Sequence, residues 1–376
     1  MPEVTLLTTG RLDGFDTPNR MVMAPMTRSR ASAAGVPSEL AIEYYAQRAS
    51  AGLIITEGTA PSAAGSGYPR TPSIYSPEQI AAWRPITDAV HARGGHMFLQ
   101  IMHVGRIGHA ANRVTDAPLV APSAIRAAGQ MWTDSLGLQD NDIPRALDTR
   151  EIPGVVAEYA QATRHALAAG FDGVELHSAS GYLPMQFLST GSNHRTDVYG
   201  GNLQNRLRFV LETLEAMIEA AGSASRVGIK ISPAIPFNDI QDDDPAETYS
   251  ALARAISPMG LAYLHVMRSA TLPDVFETLR PLFHGPFLAG GGFGLESGTA
   301  ALAAGLADFI VFGKLFVSNP DLPARFARRA ALADPDLSTF YTPGPKGYID
   351  YPALDNAASS EAEPHRVSRR PEAEPR

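Results

Sequence analysis

Short apolar runs of β character alternate with amphipathic helical segments along nearly the whole chain, and eight such pairs can be drawn. The β-type runs are NRMVMAP (19–25), GLIITEG (52–58), HMFLQIM (96–102), GVELHS (173–178), VGIKIS (227–232), AYLHVMR (262–268), FLAGG (287–291) and FIVFGK (309–314). Nearly all are apolar on both faces, the pattern of parallel strands buried between helices. The helices between them have readable ends. Ser76-Pro77-Glu78-Gln79 offers an N-cap, a first-turn proline and a capping-box partner, and Asp244-Pro245-Ala246-Glu247 repeats the device. The segment after Gly201 places Leu203, Leu207, Val210, Leu211, Leu214 and Ile218 at helical spacing and stops before Gly222. Eight alternating units favour a closed (β/α)8 barrel of eight parallel strands. No fixed-period repeat supports a solenoid.

The expected organisation is one barrel domain over residues 1–355, interrupted by a long insertion. Residues 103–149 exceed a βα loop and are rich in Pro, Gly, Ala and Asp, which suggests a partly ordered cap over the barrel mouth. Residues 356–376 carry almost no apolar side chains and read as a disordered tail. A net charge of -8 without a basic cluster before that tail argues against nucleic acid as a partner. No cysteine is present, so disulfides, thiolate nucleophiles and Cys-ligated metals are excluded, and any redox chemistry must use an organic cofactor. Neither an export signal nor an apolar run long enough to span a membrane is seen, which makes the cytoplasm the expected location. Nothing in the sequence chooses between a monomer and a homodimer.

Chemistry collects at the carboxyl ends of the strands, where backbone groups are unpaired and loops are free to vary. The first strand delivers Pro25 and Thr27, the second Glu57 and Gly58, the third Gln100 and His103, the fourth His177, the fifth Lys230. The seventh delivers Gly290, Gly291 and Gly292, and the eighth Gly313 and Lys314. Bare glycines let N–H groups approach an anion and Lys314 adds charge, so the Gly291-Gly292 turn beside Gly313-Lys314 has the make-up of a barrel phosphate cradle. GGG alone is equally an ordinary turn. The loop from His177 to Gly201 follows with Ser180, Tyr182 and a run of polar groups, and reads as a reaction centre.

MAPMTRSRA, QIMHVGR, HSASGYLPMQFLSTGSNHRTDVYGGNLQNRLRF, FIVFGKLFVSNPDLPARF and FYTPGPKGYIDYP together resemble the old yellow enzyme family over roughly residues 3 to 354. The resemblance implies a (β/α)8 flavoprotein that holds FMN without covalent attachment. Such an enzyme uses NADPH or NADH to reduce alkenes activated by a carbonyl or nitro group. It places the flavin ring on the main chain of Pro25 and Gly58, Thr27 at the O4 edge, Gln100 at the pyrimidine edge and Lys230 beside N1 and O2. It assigns His177 and Ser180 to the activating oxygen and Tyr182 to protonation of the α-carbon, with hydride arriving from flavin N5 on the opposite face. Tyr68, Met102 and Tyr351 fall on substrate-side positions. The chain departs from the family at Ser180, where a His or Asn is usual, at Lys230 and Lys314, where Arg is usual, and at Met102, where an aromatic is usual.

Two other functions fit the same residues. Lys230 could serve a phosphate-binding lyase or aldolase as a Schiff-base nucleophile. Alternatively, the weakened anchors could mark a flavin-binding protein that has lost turnover. Asp242, Asp243 and Asp244 stand just before a helix and read as dipole partners rather than metal ligands. His265 and His103 read as structural histidines, and Tyr68 and Tyr351 are open to an ordinary half-buried role.

Overall fold

The computed structural model describes residues 4–12, 14–113 and 115–354, so the expected tail over 356–376 lies outside the described residues. Eight parallel strands close into a barrel: β1 (Met21–Met23), β2 (Leu53–Ile55), β3 (Met97–Ile101), β4 (Gly173–Ser178), β5 (Val227–Ile231), β6 (Tyr263–Met267), β7 (Phe287–Gly290) and β8 (Phe309–Phe312). Each pairs with its sequence neighbours, and β8 returns to β1 through Ile310↔Met21 and Val311↔Val22. The eighth strand is shorter than the sequence suggested. It stops at Phe312, and Lys314 opens a short helix because Gly313 (φ -95, ψ -93) turns the chain out of the extended region.

The helices lie outside the barrel. α1 (Leu40–Ala46) and α2 (Pro77–His91) follow β1 and β2, and α3 (Ile152–Ala168) precedes β4. α4 (Leu183–Leu188) and α5 (Leu203–Ala221) follow β4, α6 (Pro245–Ile256) follows β5, α7 (Val275–Leu279) follows β6, and α8 (Leu295–Ala303) joins β7 to β8. Local signals set their ends. Ser76 and Gln79 form the reciprocal capping box at α2. At α6 only half of that device forms, with the Asp244 carboxylate accepting from the Glu247 N–H at 2.9 Å. α5 ends on Gly222 at φ 71, a left-handed position that favours glycine.

Alternation along the strands divides the molecule into two apolar layers. Side chains such as Val174, Leu176, Ile229 and Ile310 point outward into the main core with the helices. Inside the barrel, Val22, Leu53, Ile55, Phe98, Tyr263, Leu288 and Phe309 fill the amino-terminal half, plugged from below by Leu12 and Phe15 of the hairpin Gly10–Leu12 and Phe15–Thr17. Gly228 makes room for this packing, since a Cβ there would lie 2.4 Å from the Tyr263 ring. Higher up the interior turns polar, first with Gln100 beside Glu175 and then, one layer above, with His177, Lys230 and His265, so the barrel has an apolar floor and a chemically equipped mouth.

The insertion at 103–149 contains a two-residue parallel pair, Val120–Ala121 with Arg145–Ala146, and an antiparallel hairpin, Gln130–Thr133 with Gly137–Asp140. Its Val104, Ile107, Leu119, Ala127 and Met131 form a separate apolar cluster with Met102 and Tyr182, with Tyr68 packed against it. That cluster seats the insertion against the barrel mouth.

Candidate active site

The carboxyl end of the barrel opens into a cavity of about 640 Å³. Of the residues expected from sequence, Pro25, Thr27, Gly58, Gln100, Met102, His177, Ser180, Tyr182, Lys230, Gly291, Gly292, Gly313 and Lys314 all line it. Their convergence follows from register. In the barrel His177 faces Lys230 and Lys230 faces His265, which sets three nitrogen-bearing side chains in one layer.

His177 ends an inward-facing strand position and is 5% exposed. Its Nδ1 has no hydrogen-bond partner among the described residues. Burial, with the nearby positive charge of Lys230, holds its pKa well below the usual range, so the ring is a neutral imidazole with one N–H to give. Tyr182 stands edge-on to it, ring centroids 4.8 Å apart at 80°. The Tyr182 and Tyr68 hydroxyls are 3.2 Å apart, and burial followed by Tyr68 raises the Tyr182 pKa well above normal, so the phenol keeps its proton. Tyr68, expected on the substrate side, does not line the cavity and stands behind Tyr182.

Ser180 adopts a left-handed backbone (φ 55) held by two hydrogen bonds. Its N–H donates to the Ser232 hydroxyl at 2.8 Å, and its carbonyl accepts from the Asn238 amide at 2.8 Å. Met102 packs on Gly58 so closely that a Cβ at Gly58 would fall 2.5 Å from its sulfur. Lys230 has its pKa lowered by burial, and Glu175 works against that shift. At the other end of the cavity Gly291 (φ 125) and Gly292 (φ 80) leave main chain bare beside Gly313 and Lys314.

Tyr351 is a correction. It does not line the cavity; its hydroxyl accepts from the Asp336 N–H at 2.8 Å, and the wall on that side is made by Phe340 and Tyr341. Those two are carried by a C-terminal strap tied to the first βα loop. Arg28 donates to the carbonyls of Phe340 (3.3 Å) and Gly347 (2.7 Å), and Arg30 to those of Thr339 (2.9 Å), Phe340 (3.1 Å), Gly344 (3.0 Å) and Lys346 (2.9 Å). Sequence reasoning also missed His265 and Met267, which reach the cavity from β6, and Phe237 from the loop after β5. His265 is both a satisfied buried histidine and a wall residue. Its strand phase, opposite Lys230, was the available signal.

The lining fits a phosphorylated, flat, partly apolar cofactor. Bare glycine main chain with Lys314 suits a phosphate, Lys230 suits an electron-rich ring edge, and an unpartnered buried imidazole suits an incoming acceptor. Among the described residues no group of three or more His, Asp or Glu side chains is placed to hold a metal, and no helix is long and apolar enough to cross a membrane.

The family model of the NADH:flavin oxidoreductase / NADH oxidase family matches residues 14–333. The rice (Oryza sativa subsp. japonica) 12-oxophytodienoate reductase 1 is 42% identical over 364 residues, covering 94% of each chain. A probable flavin mononucleotide-dependent alkene reductase of Leishmania infantum is 42% identical over 347 residues, covering 89% of this chain and 94% of that one. Among solved structures, morphinone reductase in complex with tetrahydroNAD superposes with a TM-score of 0.89 at 44% identity, covering 94% of this chain and 98% of that one. An old yellow enzyme homologue from Zymomonas mobilis gives 0.90 at 40%, covering 93% and 100%.

Proposed function

Since the chain belongs to the old yellow enzyme family of NADH:flavin oxidoreductases, we propose that its barrel mouth reduces activated alkenes with His177 and Tyr182 as the working pair. The enzyme is an FMN-dependent, NAD(P)H-driven alkene reductase. That class speaks against a Lys230 Schiff base, and a flavin protein without turnover is the outcome the titration below would expose. FMN, when bound, supplies the hydride that adds to the β-carbon of the substrate.

The chain's own residues do the rest. Pro25, Thr27, Gly58 and Gln100 would bound the ring, Lys230 would place charge at its electron-rich edge, and Gly291, Gly292, Gly313 and Lys314 would cradle the phosphate. His177, neutral and otherwise unpaired, donates its N–H to the carbonyl or nitro oxygen and draws electron density from the alkene. Ser180 adds at most a short second donor, since a hydroxyl on one carbon reaches less far than an imidazole or carboxamide. Tyr182 gives its phenolic proton to the α-carbon, and Tyr68, hydrogen-bonded behind it, steadies the phenol.

The observation that carries this reading is the buried His177 ring, with an unpartnered nitrogen, edge-on to the protonated Tyr182 in a cavity lined by two lysines and bare glycines. Anaerobic reductive titration of the purified protein, then a panel of enones, enals, nitroalkenes and maleimides, tests it. Bleaching by NADPH or NADH and recovery of the yellow colour with an enone are expected. A His177→Ala enzyme that reoxidises as fast as the parent with every oxidant would overturn the assignment.

A further inference from the structure

A buried carboxylate lies directly beneath the pocket and has no part in the reaction described so far. Glu175 projects inward from β4, is 0% exposed, and sits opposite Gln100 of β3 in the barrel register. Its Oε1 accepts from the Gln100 Nε2 at 2.7 Å, and its Oε2 lies 2.9 Å from the His265 Nδ1. Gln100, His265 and Lys230 all line the cavity, and Glu175 acts electrostatically on Lys230 as well. A carboxylate taken out of water is costly unless every oxygen has a donor, and here one carboxylate gathers its donors from residues that face the pocket.

We propose that Glu175 is a positioning residue for the flavin site, fixing which atoms of Gln100 and His265 are offered to the cofactor and how much of the Lys230 charge the cofactor experiences. The proposal rests on FMN being the occupant of the pocket, as argued above. The orientations follow from hydrogen-bond valence. A carboxylate can only accept, so the Gln100 amide must turn its NH₂ down to Glu175 and its carbonyl oxygen toward the pocket, where it can take an N–H from the ring edge. The same rule puts the His265 proton on Nδ1 and leaves Nε2 as an acceptor near Gly290, where a Cβ would lie 3.5 Å away. Burial favours this neutral ring by pulling the His265 pKa down even beside Glu175. The negative charge of Glu175 one layer below also offsets part of the Lys230 field where the cofactor binds.

Glu175→Gln keeps the shape, removes the charge and lets the Gln100 amide turn over. The measurement is the midpoint potential of the bound FMN, by dye-linked reductive titration of wild-type and variant holoenzymes. A more positive potential is expected in the variant, with reduction by NADPH accelerated and reoxidation by 2-cyclohexenone slowed, each on the order of tenfold. The double variant Glu175→Gln, Lys230→Met should bring the potential back down. A residue serving only as packing would change stability and leave the potential unmoved, so a variant holoenzyme with the wild-type potential overturns the proposal. The wild-type holoenzyme supplies a second measurement that decides even where the variant fails to fold. Nitrogen-15 NMR of His265 should show the neutral Nδ1–H tautomer at pH 7, and an Nε2–H tautomer or an imidazolium overturns it. A wild-type protein that binds no FMN would instead defeat the reading of the pocket itself.

Discussion

Ser180 holds a left-handed backbone that costs a non-glycine residue about 1 kcal/mol, and asparagine tolerates that region better than most side chains. Asn at this position would also extend a carboxamide beyond the reach of a serine hydroxyl. Ser180→Asn is therefore expected to keep or slightly raise thermal stability and to increase kcat/KM for 2-cyclohexenone by roughly tenfold to a hundredfold, within the range attributed to one oxyanion donor. Steady-state assay of both enzymes decides it, and equal kcat/KM values would remove Ser180 from the account. Tyr182→Phe makes a different expectation. Reoxidation by an enone should slow by roughly a hundredfold or more while reduction by NADPH keeps its rate, because only the reoxidation step needs the phenolic proton. Stopped-flow absorbance separates the two halves. At this scale the sequence was informative about placement where chemistry and motif agreed, as at His177, Tyr182 and Lys230, which all line the cavity. His265 was rightly read as a satisfied buried histidine, but its place in the cavity wall was not visible, because a single histidine in an apolar strand has the same local pattern whether it faces a helix or a pocket. The sequence failed at Tyr351 because the placement of that segment depends on arginines some 300 residues away.

Those arginines act at the scale of elements. Arg30 gives its guanidinium to five main-chain carbonyls, four of them between Thr339 and Lys346 and the fifth that of Arg28, while stacking over Tyr348 at 4.5 Å. A lysine has a single ammonium and no planar fork, and cannot reach this set of acceptors. Arg30→Lys should cost about 2–4 kcal/mol, on the scale of two or more lost charge-assisted hydrogen bonds. The strap carrying Phe340 and Tyr341 should become more open to proteolysis. Urea denaturation and limited trypsin digestion check the two parts, and an unchanged digestion pattern would show that something else holds the strap. The elements themselves differ in how well they can be read. β4 was legible to the residue, since GVELHS is bounded by a helix stop and a polar loop. The end of β8 was not, since Gly313-Lys314 continues an apolar run and only the backbone turn at Gly313 separates strand from helix. The two-residue pairing of Val120–Ala121 with Arg145–Ala146 rests on contacts 25 residues apart that no local propensity encodes.

For the whole molecule, the eightfold alternation determined the architecture because only closure satisfies every edge of a parallel sheet whose strands are apolar on both faces. The same closure has a consequence for stability. At the end of β2, Glu57 is buried at 5% exposure and its carboxylate accepts the Arg28 N–H at 3.0 Å. Burial outweighs that bond and the nearby Arg28 and Arg30 charges, and lifts the Glu57 pKa from 4.5 to about 7. A carboxyl group whose folded pKa is raised favours folding while it is protonated in both states, below about pH 4.5. The advantage is lost as pH climbs through about 7, because the unfolded chain ionises the group freely and the folded chain does so at a penalty. A shift of this size corresponds to about 3 kcal/mol across that window. Glu57→Gln cannot ionise. The unfolding free energy of the wild type minus that of Glu57→Gln, measured in urea at half-unit steps from pH 4.5 to 8, should fall with rising pH and level off above about 7. A flat difference would mean that Glu57 ionises as easily in the barrel as in the unfolded chain. A rising one would mean that the Arg28 and Arg30 charges outweigh its burial.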